Sequence, residues 1–176
     1  MTHPLPRQAA PELSVPTVSG ELWSLDTCSI DSFLMVVFYR HQNCGVCQSY
    51  LSDLSDKLRQ FEELGVSIAA VSMDTAAGAK NMASRLQSTK LTMGYDLRRQ
   101  TAEDWGLYVS AARKPGEPTV FTEPGLFLID RSRRLYFAST QSMPFGRTSF
   151  DSLLEWIPKL VSGSIPARGE LEQGAA

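Results

Sequence analysis

The run Phe33-Leu34-Met35-Val36-Val37-Phe38-Tyr39 is apolar throughout and of strand length. A strand with no polar face has to be covered on both sides. The run stops at Arg40-His41-Gln42-Asn43, and beyond Cys47 the residues Leu51, Leu54, Leu58, Phe61 and Leu64 recur at steps of three and four. That spacing predicts an amphipathic helix, closed by Gly65. Val66 to Val71 is a second apolar run, so the three pieces form a βαβ unit whose strands should be parallel and joined right-handedly. The chain is expected to be α/β. Its cysteine pair, Cys44-Gly45-Val46-Cys47, falls at the first strand-to-helix junction.

Downstream, residues 75 to 89 read as a second helix anchored by Met82 and Leu86. Residues 90 to 123 are mixed: a short strand around Leu91 to Tyr95, a helical turn around Thr101 to Leu107, and a loop carrying Pro115, Gly116 and Pro118. Leu126 to Asp130 and Leu135 to Thr140 flank Arg131-Ser132-Arg133-Arg134, the pattern of a hairpin whose basic turn is expected to be solvated. Phe150, Leu153, Leu154, Ile157, Leu160 and Val161 predict a last helix, which Pro158 should kink or shorten. Pro4, Pro6, Pro11 and Pro16 make residues 1–20 an extended arm that can add an edge strand. The folded unit is expected over 21–162 and a flexible tail over 163–176. Trp105 with Tyr108, and Met73 with Met82, read as packing residues.

At 176 residues, with 43% hydrophobic and 20% charged side chains, this is one ordinary globular domain. Seventeen basic against nineteen acidic residues leave a net charge of -2 with no block of like charge, which points away from nucleic acid and from an anionic membrane. The opening residues hold no apolar stretch of signal-peptide length, and no window has the roughly 18 apolar residues of a spanning helix, so a cytoplasmic protein is expected. Three cysteines in a reducing compartment make no disulfide framework, and their spacing has to be read as chemistry or as packing. Thiol chemistry needs a thiolate, and a helix N-terminus supplies free N–H groups and the positive end of a dipole to stabilise one. Cys28 stands apart and reads as a small buried hydrophobe, with a remote resolving role as the lesser alternative. His41 reads as a solvated loop residue. Zinc wants four ligands, and His3, His41 and three cysteines are a thin supply, so no metal or other cofactor is expected.

The order β-α-β-α, hairpin, α, with a CxxC opening the first helix, resembles the thioredoxin fold over residues 30 to 162, a central mixed sheet flanked by helices. The N-terminal arm, the insertion at about 90–123 and the segment Phe38-Tyr39-Arg40-His41-Gln42-Asn43-Cys44-Gly45-Val46-Cys47 are more similar to the peroxiredoxins, the alkyl hydroperoxide reductase and thiol-specific antioxidant group. That resemblance implies a thiol-dependent oxidoreductase reducing peroxides through a dithiol/disulfide cycle, regenerated by an external thiol such as a thioredoxin-like donor, in a chain that can form a homodimer. Its pattern Pro-x-x-x-Thr/Ser-x-x-Cys lays the attacking cysteine on Cys47, the hydroxyl on Cys44 and the proline on Arg40. The thioredoxin register instead makes Cys44 attack and Cys47 resolve, as in a protein disulfide reductase. A reading of another class is a non-catalytic redox-sensing or metal-binding module using His41, Cys44 and Cys47. The arginine that peroxiredoxins place before the hairpin falls on Glu123, while Pro124 resembles the cis-proline of thioredoxins. If the hairpin leaves the CxxC edge of the sheet it must return there, which makes Arg147, with Arg40, a cationic candidate for stabilising the thiolate.

Overall fold

The computed structural model describes residues 3–86 and 90–171. In chain order the elements are β1 (Ser14–Pro16), β2 (Leu22–Ser24), β3 (Phe33–Phe38), α1 (Gly45–Glu63), β4 (Val66–Val71), α2 (Ala76–Arg85) and β5 (Thr92–Gly94). There follow α3 (Arg99–Asp104), β6 (Val109–Ala111), β7 (Val120–Thr122), β8 (Gly125–Asp130), β9 (Leu135–Thr140) and α4 (Phe150–Val161). The central sheet has the order β5-β4-β3-β8-β9. β3 runs parallel to β4 and antiparallel to β8, with Phe38 facing Val71 on one side and Gly125 on the other. The sheet is therefore mixed, and the predicted βαβ unit forms its centre.

The unbroken apolar run has its explanation in the two faces of β3. Phe33, Met35, Val37 and Tyr39 pack with Leu51, Leu54 and Phe61 of α1 and Phe150, Leu153 and Ile157 of α4, joined by Met82 of α2. Leu34, Val36 and Phe38 pack on the other face with Leu13, Val15, Trp105 and Phe127. Alternate side chains point to opposite faces, so both must be apolar. Gly65 closes α1 at φ +71°, and a Cβ there would meet the Asp31 carboxylate at 2.8 Å. Both backbone and space call for glycine.

Several expectations change. The arm does more than add an edge strand: it bridges both edges of the central sheet, at Arg134 through Ala9 and at Gly94 of β5 through Thr17, while Leu13 and Val15 lie in the core and β1 pairs with β2 in a small sheet of its own. Sequence periodicity missed this because proline-rich segments have none. The second helix ends at Arg85, and residues 87–89 of the predicted span lie outside the described residues. Pro158 neither stops nor shortens α4. It stands in the last turn, where few backbone bonds depend on it, while Phe150, Leu153 and Ile157 anchor the helix ahead of it. The segment read as a loop holds a hairpin, β6 paired antiparallel with β7. Arg133 in the basic turn is not merely solvated, since its guanidinium donates to the carbonyls of Leu25 (3.1 Å) and Asp26 (2.6 Å). As far as Leu171 the tail is tied to the body: the Tyr136 hydroxyl donates to the Ile165 carbonyl and Arg7 pairs with Glu170 at 3.2 Å. Residues 172–176 lie outside the described residues.

Candidate active site

β3 delivers the chain to the sheet edge, and a pinned loop turns it into α1. The Gln42 N–H donates to Asp74 Oδ2 at 2.7 Å, the Gln42 carbonyl accepts from Arg85 at 2.8 Å, and the Cys44 N–H donates to the His41 carbonyl at 3.0 Å. Cys44 is then the N-cap of α1, with φ −86° and ψ 100°, and its Sγ accepts the Cys47 N–H at 3.2 Å. A cysteine here does the work usually given to Ser or Thr, and the orphan donor it satisfies favours the anion. The Cys44 pKa is drawn down to about 6, first by the hydrogen bond from the Cys47 thiol, then by the Cys47 backbone N–H and the charges of Arg147 and Arg40, against the opposing cost of burial. Cys47 moves the other way, because its proton is engaged by Cys44 and the sulfur is wholly buried. The two sulfurs titrate as a coupled pair, Cys44 drawn down and Cys47 pushed up.

Arg147 reaches the pair from the loop after β9. Its Nη2 donates to Cys47 Sγ at 3.0 Å, its Nε donates to the Pro144 carbonyl at 2.6 Å, and the guanidinium lies 4.8 Å over the Tyr50 ring. Among the described residues it pairs with no carboxylate, and its buried Nη1 has no partner. Arg40 is placed differently. Its guanidinium is held between Glu117 at 3.2 Å and Glu123 at 3.3 Å, over the face of Phe121 at 4.6 Å, so its charge is largely matched before it acts on the sulfurs. Glu123 is buried and also accepts from the Ser110 hydroxyl at 2.8 Å.

Pro124 is buried in a trans linkage, since no described peptide bond is cis. His41 is 3% exposed instead of solvated, set edge-on to Phe121 at 5.1 Å with both ring nitrogens unpartnered among the described residues. Burial, then Arg40, lowers its pKa, so the ring is neutral. Among the described residues no three His, Cys, Asp or Glu side chains are grouped to hold a metal ion. Cys28 donates to the Leu25 carbonyl at 3.2 Å and packs on the opposite face of the sheet. It precedes β3 whereas the CxxC follows it, a separation of roughly 20 Å for six residues, which removes it as a resolving partner within one chain.

A cavity of about 240 Å³ opens onto the pair, bordered by Cys44, Val46, Pro144 and the hairpin tip at residues 114–117; Cys47 does not line it. Asn43 Nδ2 holds that tip through the Gly116 carbonyl at 2.8 Å. Sequence reasoning missed Glu117 and Glu123 as the partners of Arg40, and Tyr50 as a neighbour of Arg147. The three-residue step from Cys47 to Tyr50 was a usable signal, since it sets both on one helix face.

The sequence pattern of the AhpC/TSA family matches residues 6–138. The chain belongs to the AhpC/TSA family. Among curated AhpC/TSA relatives, the mitochondrial thioredoxin-dependent peroxide reductase of Rattus norvegicus is 26% identical over 141 residues, 74% of this chain and 51% of the relative. The chain spans about half the length of the curated relatives it matches. Two solved structures share its fold. A mutant of Peroxiredoxin 6 of Arenicola marina has a TM-score of 0.78 at 17% identity, covering 97% of this chain and 84% of that one. Mycobacterium tuberculosis AhpC has a TM-score of 0.74 at 16% identity, covering 94% and 98%.

Proposed function

We propose that this chain is a thiol peroxidase cycling between dithiol and disulfide at Cys44 and Cys47, with Cys44 as the attacking sulfur. The observation that carries the assignment is the position of Cys44 Sγ at the N-cap of α1, bordering the cavity, above a Cys47 with no exposed surface. This reverses the order implied by the peroxiredoxin register. Membership of the AhpC/TSA family supports peroxide as the oxidant.

The Cys44 thiolate attacks the terminal oxygen of a hydroperoxide; an S–O bond forms, the O–O bond breaks, and the departing alkoxide or hydroxide takes up a proton. The Cys47 thiol condenses with the resulting sulfenic acid, forming the S–S bond and releasing water. An external dithiol of the thioredoxin-like class then attacks Cys44 Sγ from the cavity, Cys47 leaves as a thiolate against Arg147 Nη2, and the donor's second thiol displaces Cys44 from the mixed disulfide, leaving the donor oxidised. Burial holds the Cys47 thiol pKa up, and the cation against its sulfur offsets part of that cost as the thiolate leaves. A protein disulfide reductase is less well supported, because Pro124, the residue likened to the thioredoxin cis-proline, is trans and buried.

The test is to mix reduced protein with one equivalent of hydrogen peroxide and follow it by stopped flow and peptide mass spectrometry. Cys44→Ser is expected to lose peroxide consumption. Cys47→Ser is expected to keep a single turnover that leaves sulfenic acid on Cys44. Rapid sulfenic acid on Cys47 in the Cys44→Ser protein would return the attack to Cys47. Wild-type oxidation no faster than that of a free thiol would end the peroxidase reading.

A further inference from the structure

Arg147 lies in a stretch, residues 141–149, that forms no helix or strand. A long side chain on such a segment keeps a fixed place only if its contacts outweigh the entropy of holding it. Tyr50, in α1 one turn beyond Cys47, supplies two of those contacts. Its ring carries the guanidinium at 4.8 Å, and its hydroxyl donates to the carbonyl of Thr148, the next residue, at 2.7 Å. The ring is braced from behind by Phe150, stacked at 4.3 Å with an interplanar angle of 29°. Burial raises the Tyr50 phenol pKa, so the hydroxyl stays a donor. One rigid helix thus carries both the buried sulfur and the platform for the cation that meets it.

We propose that Tyr50 is a positioning residue for the dithiol: it sets Arg147 Nη2 against Cys47 Sγ without touching the reacting sulfurs itself. The proposal rests on the role assigned above to Arg147, and it concerns this chain's own way of replacing an arginine that its relatives bring from another position.

The test is a pH titration of reduced protein, read by ultraviolet thiolate absorbance with no peroxide present, so that its outcome is independent of whether the chain reduces peroxides. Tyr50→Leu is expected to raise the apparent pKa of the dithiol anion by about one unit, in the direction of Arg147→Met. The double variant should move no further than Arg147→Met alone, because the two act through one contact. Tyr50→Phe, which keeps the stack and the platform, should recover most of the shift while amide exchange over 144–149 quickens for want of the hydroxyl. A folded Tyr50→Leu that titrates as wild type, or shifts that add in full in the double variant, would overturn the proposal. If Tyr50→Leu does not fold, Tyr50→Phe decides: wild-type exchange over 144–149 would overturn it.

Discussion

At the scale of single residues, the site separates two tasks that one arginine could have combined. Cys44 Sγ accepts a backbone N–H and its pKa is drawn down, while Arg147 touches Cys47. With the Cys44 pKa lowered to about 6, the rate of peroxide reduction should rise with pH through that value and level off by neutrality, where an ordinary thiol near pKa 8.5 is still mostly protonated. Arg147→Met removes the cation, so the profile should move to higher pH by about one unit, with a loss of roughly fivefold at pH 6 and little at pH 8. Stopped-flow rates across pH check this, and an unmoved profile would mean that Arg147 does not act on the anion. The position of Arg147 was legible because a hairpin that leaves one sheet edge must return to it. The fate of Arg40 was not, since its partner Glu117 lies 77 residues away and nothing local to either residue announces the pair.

At the scale of elements, the hairpin of β6 and β7 exists because of contacts that no short window could reveal. Its strands have three residues each, too few for alternation to register, and its tip carries Pro115, Gly116 and Pro118. Arg40 and Asn43, both just ahead of Cys44, hold it through Glu117, Glu123 and Gly116, and so make it a wall of the cavity. Truncating Arg40 to Leu would strand the buried Glu123 carboxylate. The expected cost is about 3 kcal/mol of stability, measurable by urea unfolding, whereas Arg40→Leu with Glu123→Leu should recover a good part of it. A loss under about 0.5 kcal/mol in the single variant would show that the ion pair is not what secures the wall. The α-helices and central strands, by contrast, were readable because their period is set by burial against the sheet.

At the scale of the molecule, the sheet keeps stability and chemistry on opposite faces. The arm's Leu13 and Val15 pack on the face with Val36 and Phe127, and Val15 sits so near Gly94 that a Cβ there would come within 2.6 Å of it. The dithiol packs on the other face with α1 and α4. Leu13→Ala should therefore lower stability by about 2–4 kcal/mol in thermal or urea unfolding while leaving the thiol titration of the folded protein where it was. A titration that moved with it would show the two faces to be coupled. The N-cap arrangement of Cys44 has one more consequence. Its partner sulfur lies one helical turn away, in the residue whose N–H reaches Cys44 Sγ, so in the proposed cycle disulfide closure competes with a second peroxide from a position of high local concentration. That cycle predicts that oxidation stops at its reversible rung, short of the sulfinic state from which thiols rarely return.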